Sequence, residues 1–119
     1  MTISAGTDTP PRIVVFGGGT GMFSLLSGIK HYTRDITAII TVTDDGGSSG
    51  LLRQDLDIPP PGDIRNCLLA LSDAHPLLKK SLDLRFSSGE LKNHSLGNLL
   101  IAASAMITKD FGEAVKQLH

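Results

Sequence analysis

The chain has 119 residues, 40% hydrophobic and 19% charged, which is enough for one folded domain with a single core and too little for two ordinary ones. Eleven Lys and Arg against twelve Asp and Glu leave a net charge of −1, with one Tyr, four Phe and no Trp, a balance that argues against nucleic acid as the main partner. Cys67 is the single cysteine, so no internal disulfide forms and a reducing, cytoplasmic compartment is expected; the longest mostly apolar stretch, 96–107, includes Asn98 and Ser104 and falls short of the ~20 residues that span a bilayer.

Residues 1–11 are polar, lack the basic start and apolar run of a signal peptide, and read as a disordered lead-in. The β-branched run from Ile13 closes on Gly17-Gly18-Gly19-Thr20-Gly21, which outlines a strand, a tight loop and a helix with Met22, Leu25, Leu26 and Ile29 on one side. Glycines let a ligand approach the backbone with no Cβ in the way, and the N–H groups opening the next helix carry the positive end of its dipole, so phosphate is a fitting occupant. The same glycines also serve simply to pack strand closely against helix. The Rossmann fingerprint would need a glycine where Met22 stands, and the P-loop a terminal Gly-Lys-Ser/Thr; neither is present.

Ile36 to Thr43 is β-branched almost throughout and predicts a buried strand parallel to the first, completing a βαβ unit. It runs into Asp44-Asp45-Gly46-Gly47-Ser48-Ser49-Gly50, ahead of a helix predicted to start at Leu51. Ligands of parallel α/β sheets sit beyond the C-terminal ends of the strands, where both glycine loops fall. Asp44 and Asp45 are placed much as the ribose carboxylate of a nucleotide-binding unit, and adjacent carboxylates also hold Mg²⁺ shared with phosphates. The plain alternative is an Asp-Gly turn with Ser48 or Ser49 as a helix cap.

Pro59-Pro60-Pro61-Gly62 stiffens the approach to a helix predicted over Ile64 to Leu71, with Asp63 as its N-cap or as a third carboxylate beside the guanidinium fork of Arg65. From Ser72 to Phe86 the pattern is weak: His75-Pro76 reads as a turn, Leu77, Leu78, Leu82 and Phe86 as core, and Arg85 as solvent-facing. His94-Ser95-Leu96-Gly97-Asn98 then opens an apolar helix over Leu99 to Ile107. Polar groups at the start of a buried helix pair with each other or with a ligand; Ser95 is a capping candidate, Gly97 indicates a close approach, and His94 is either a surface histidine or a general base. Asp110 to Glu113 has the form of a capping box for a last helix through Leu118. Two strands and five helices predict an α/β fold, a Rossmann-like parallel sheet with flanking helices, incomplete in this chain because a doubly wound sheet needs more strands.

In order along the chain, Gly17-Gly18-Gly19-Thr20-Gly21, Thr43 to Gly50, Pro60-Pro61-Gly62-Asp63-Ile64-Arg65-Asn66 and His94 to Leu99 resemble the successive motifs of the gluconeogenesis factor family (YvcK type), within the superfamily of 2-phospho-L-lactate transferase, CofD. The resemblance implies a cytoplasmic, homo-oligomeric protein much longer than this chain, of which residues 12–119 are the N-terminal part of one nucleotide-binding domain. On the regulatory side, such a protein binds a UDP-sugar, typically UDP-N-acetylglucosamine, and influences carbon metabolism, cell-wall synthesis and cell shape, with regulatory protein partners. The transferase branch moves a phospholactyl group from a guanosine diphosphate carrier onto the deazaflavin precursor Fo with Mg²⁺. The glycine loop and Asp44 map onto the shared ligand-site motifs, and Asp63 onto an acidic position that the transferases keep. Residues 46–50 and 60–62 follow the regulator pattern and depart from the transferase one. The candidate ligand contacts are therefore Gly17, Gly18, Gly19, Thr20, Gly21, Asp44, Asp45, Gly46, Gly47, Ser48, Ser49, Arg65, His94 and Asn98. Candidate Mg²⁺ ligands are Asp44, Asp45 and Asp63, and for a transferase the catalytic candidates are Asp44, Asp63 and His94.

Overall fold

The computed structural model describes residues 9–43 and 46–119. Its order is β1 (Ile13–Gly17), α1 (Gly19–Ile29), β2 (Ile36–Ile40), α2 (Gly47–Leu56), α3 (Gly62–Leu71), α4 (Pro76–Asp83), α5 (Leu96–Thr108) and α6 (Phe111–Leu118). The two strands are parallel, with Ile13 opposite Ile36 and Gly17 opposite Ile40. This is an α/β fragment with a βαβ start.

Strand residues alternate sides. Val15 is buried with Met22 and Leu26 of α1 and with Cys67 and Ala70 of α3, and Ile13, Ile36, Ala38 and Ile40 pack around them. One face of the sheet is thus closed by α1 and α3. The opposite face is bare: Val14, Phe16 and Ile39 are exposed, Phe16 by 73%. The expectation of a fully buried second strand is corrected here, because no described element covers that side. A second packing centre lies on α5, where Ile101, Ala102 and Ala105 are buried, as is Ala114 of α6.

Four helices begin earlier than the apolar pattern predicts: α1 at Gly19 rather than Met22, α2 at Gly47 rather than Leu51, α3 at Gly62 rather than Ile64, and α5 at Leu96 rather than Leu99. Two of these first turns consist of Gly, Ser and Thr, which carry no hydrophobic periodicity and so read as loop. A sixth helix, α4, stands where a turn was expected. Pro76 occupies its first turn, where the missing N–H costs nothing, and the His75 side chain accepts a hydrogen bond from Leu77 N at 3.2 Å. Leu77 and Leu78, expected in the core, are exposed because α4 packs along α5 and turns these two residues away from it.

Candidate functional site

Between α4 and α5 the chain makes a short excursion in which Phe86 N donates to His94 O at 3.0 Å and Asn93 N to Phe86 O at 2.9 Å, with a bridge between Arg85 and Ser95. This brings His94 and Ser95 to the start of α5, against the first turn of α2. Ser48 Oγ lies 2.9 Å from His94 Nδ1, the direction of donation following the imidazole tautomer, and Asn98 Nδ2 donates to Ser48 Oγ at 3.2 Å. Ser95 caps α5 as expected, accepting from Asn98 N at 3.1 Å. The polar residues at this helix start therefore pair largely with each other.

The alternative capping roles at the other two helix starts are not realised. Asp63 does not cap its own helix, whose N-cap is Pro61; it sits inside the first turn of α3, and its Oδ1 accepts from Gly19 N, the first residue of α1, at 3.1 Å. Likewise neither Ser48 nor Ser49 caps α2, whose N-cap is Gly46; both are buried, and Ser49 Oγ accepts from Gly62 N at 3.1 Å. Each donor is satisfied by a side chain from another element, which locks the three helix starts together.

Gly18 shows why this corner admits no side chain: an added Cβ would collide with Thr41 Oγ1 and lie 3.2 Å from Asp63 Oδ2. Gly97 is a close approach too, since its Cβ would stand 2.8 Å from Arg65 Cδ and 2.8 Å from Leu82 O. Arg65 is held against it, 8% exposed, with Nη1 donating to Ser95 Oγ at 2.5 Å, Nη2 to Asn66 Oδ1 at 2.8 Å, and Asp83 at 3.4 Å. Burial draws this guanidinium below its ordinary pKa, with Asp83 opposing. Two buried side-chain atoms in the neighbourhood have no hydrogen-bond partner among the described residues: Arg65 Nε and Asn98 Oδ1.

Over these helix starts lies a polar cleft of about 350 Å³ lined by Gly46, Gly47, Ser48, Ser49, Gly62, Asp63, Arg65, Asn66, Arg85 and Asn98. Of the residues singled out in the sequence, Gly46, Gly47, Ser48, Ser49, Asp63, Arg65 and Asn98 share this cleft, and half-buried His94 stands behind it on Ser48. Gly18 and Gly19 adjoin it through Asp63, whereas Gly17, the last residue of β1, lies beside Met22. Thr20 lines a different cleft, of about 480 Å³, with Phe23, Lys79 and Lys80; Gly21 is exposed. Asp44 and Asp45 lie outside the described residues. Among the described residues no three His, Cys, Asp or Glu converge as a metal site. Arg85, read as solvent-facing, is exposed and also lines the cleft; sequence reasoning missed Asn66, whose position in the first turns of α3 was the available signal. Cys67, on the buried side of α3, is 4% exposed, and burial, with Asp63 adding to it, pushes its thiol up to about 11.

A βαβ start with helix N-termini gathered on a polar cleft beyond the strand ends defines an α/β protein of the parallel-sheet kind. The family model described as 2-phospho-L-lactate transferase CofD matches residues 13–119, and the chain belongs to that family. It is 59% identical over 109 residues to the gluconeogenesis factor of Bacillus subtilis, covering 91% of this chain and 34% of that protein. With the gluconeogenesis factor of Halalkalibacterium halodurans the identity is 56% over 108 residues, covering 90% of this chain and 34% of the relative. A crystal structure of a Bacillus halodurans protein superposes with a TM-score of 0.89 at 54% identity, over 92% of this chain and 36% of that one. The chain thus spans about a third of these relatives' length, in keeping with a sheet that has one bare face. No helix among the described residues is long and apolar enough to cross a membrane.

Proposed function

We propose that this chain supplies the phosphate-binding side of a nucleotide-sugar-binding regulator, a cytoplasmic homo-oligomer that takes a UDP-sugar such as UDP-N-acetylglucosamine and acts on carbon metabolism, cell-wall synthesis and cell shape through protein partners. The observation that carries the reading is the meeting of the first turns of α2 and α3 on one polar cleft with Arg65 and Arg85 at hand. Helix N-termini and guanidinium forks favour an anion, and a diphosphate presents several oxygens to such a set. The names of the curated relatives support the regulatory part.

A second reading, phospholactyl-type transfer, is favoured by the description of the family model. In both readings Mg²⁺ would be held by Asp63 with Asp44 and Asp45, a chemistry of hard oxygen ligands that suits the ion, and would neutralise charge on the diphosphate. His94 is the base candidate for transfer, yet its Nδ1 is engaged by Ser48. Incubating the full-length native protein with UDP- and GDP-linked donors separates the two. Recovery of bound UDP-sugar unchanged is the expected result; acceptor-dependent consumption of a GDP-linked donor would overturn the regulatory reading.

A further inference from the structure

The two unpartnered buried atoms beside the cleft are of opposite kinds. Arg65 Nε is a donor and Asn98 Oδ1 an acceptor, on side chains that both line the cleft and are 8% and 1% exposed. A phosphate is acceptor-only at neutral pH when fully ionised, so it answers the arginine and leaves the asparagine unanswered. The asparagine needs an O–H or N–H. Its carboxamide is held from the other end, Nδ2 on Ser48 Oγ at 3.2 Å and Ser48 in turn on His94 at 2.9 Å, so the oxygen is not free to turn and find a protein donor. Nucleobase N–H groups are the poorer source: among the described residues no aromatic or large aliphatic side chain lines this cleft, and a base would find guanidinium planes but no flat apolar wall to stack on. Hydroxyls and amides need no such wall.

We propose that this cleft receives the glycosyl phosphate end of the ligand, with Arg65 on the phosphate and Asn98 reading a hydroxyl or amide N–H of the sugar. The proposal rests on the nucleotide-sugar reading above. The base then binds outside this cleft. Both orphan atoms are shielded from bulk water, so engagement includes a parting of the cleft wall that leaves the Asn98–Ser48 hydrogen bond in place. Ser48 and His94 are positioning residues in this scheme: they aim Asn98 and do not touch the ligand.

The test is the ratio of affinities for UDP-N-acetylglucosamine and for UDP, measured by calorimetry on the full-length native protein and its variants. In the parent the sugar nucleotide binds more tightly; in Asn98→Ala that preference falls by about tenfold, the scale of one lost hydrogen bond. Ser48→Ala, which frees the carboxamide, lowers the same ratio and serves where Asn98→Ala does not fold. A ratio unchanged in both variants overturns the assignment of Asn98 while leaving the nucleotide-sugar reading standing. Failure of the parent to bind either compound overturns that reading and this proposal with it.

Discussion

The Asp63 carboxylate accepts a hydrogen bond from the backbone N–H of Gly19 at 3.1 Å, across 44 positions of sequence. A phosphate was the expected occupant of this helix start, and a side chain of the chain itself holds it. Asp63 answers an orphan donor and faces the positive end of the α1 dipole. Asp63→Asn keeps the shape and an acceptor oxygen, so it is expected to change stability by less than about 1 kcal/mol, whereas Asp63→Ala leaves Gly19 N–H without its partner and costs about 1 kcal/mol. Urea denaturation of both variants checks the difference.

The same pair tests the metal. If Mg²⁺ is held by Asp63 together with Asp44 and Asp45, Asp63→Asn removes any Mg²⁺-dependent part of the stabilisation by a UDP-sugar, because a neutral amide is a poor ligand for this ion. Thermal shifts with the sugar nucleotide, with and without Mg²⁺, give the answer. An equal Mg²⁺ effect in parent and variant would exclude Asp63 as a ligand.

Gly18 has an extended φ that any residue adopts, and space alone reserves it for glycine. Gly18→Ala is expected to cost about 1–3 kcal/mol by overpacking against Thr41 and Asp63. Removing the Thr41 hydroxyl with Thr41→Ala in the same chain should return part of the loss. A double-mutant cycle reads the coupling, and additive losses would show that the clash is not with Thr41.

Cys67 supplies a pH dependence. Its folded-state pKa is raised, to about 11, chiefly by burial. As pH rises past the ordinary thiol value, the unfolded chain releases this proton and the folded one retains it, so stability falls between about pH 9 and 11. The thermal midpoint of the parent should drop more steeply over that window than that of Cys67→Ala. The native thiol should also resist alkylation at pH 7.5, when the unfolded chain reacts.

The bare sheet face predicts association. Val14, Phe16 and Ile39 form an exposed apolar strip, with Phe16 73% exposed, and residues 1–119 alone should self-associate or unfold over a broad transition. Phe16→Lys, at so exposed a position, should reduce light scattering without loss of helical circular dichroism. A sharp transition of monomeric parent protein would contradict the prediction.

What was legible in the sequence is the part carried by apolar pattern and by glycine. The βαβ start, the register-independent pairing of its strands, the last helix and the close approach at Gly97 all follow from local residues. The helix starts were misread because Gly19-Thr20-Gly21 and Gly47-Ser48-Ser49 have the composition of a loop. Side-chain partners were misread for a related reason: Asp63 and Ser49 sit where local capping rules apply, yet each serves a different helix, and only tertiary packing decides which donor is nearer. Leu77 and Leu78 are apolar without being buried, since burial depends on what else packs there.

Cross-capping of this kind also bears on the order in which the molecule assembles. The ties Gly19 to Asp63, Ser49 to Gly62 and Asn98 to Ser48 join segments 44, 13 and 50 positions apart. No short peptide from this chain contains the cleft, because closing such loops loses entropy before any bond forms. The Gly19–Asp63 and Asn98–Ser48 ties span more chain than the 23 positions between the paired residues Ile13 and Ile36, so this part of the corner is expected to close after the sheet. Substitutions at Asp63, Ser48 or Asn98 should accelerate unfolding while leaving the folding rate nearly unchanged, so that this corner governs how long a folded molecule lasts more than how quickly one appears.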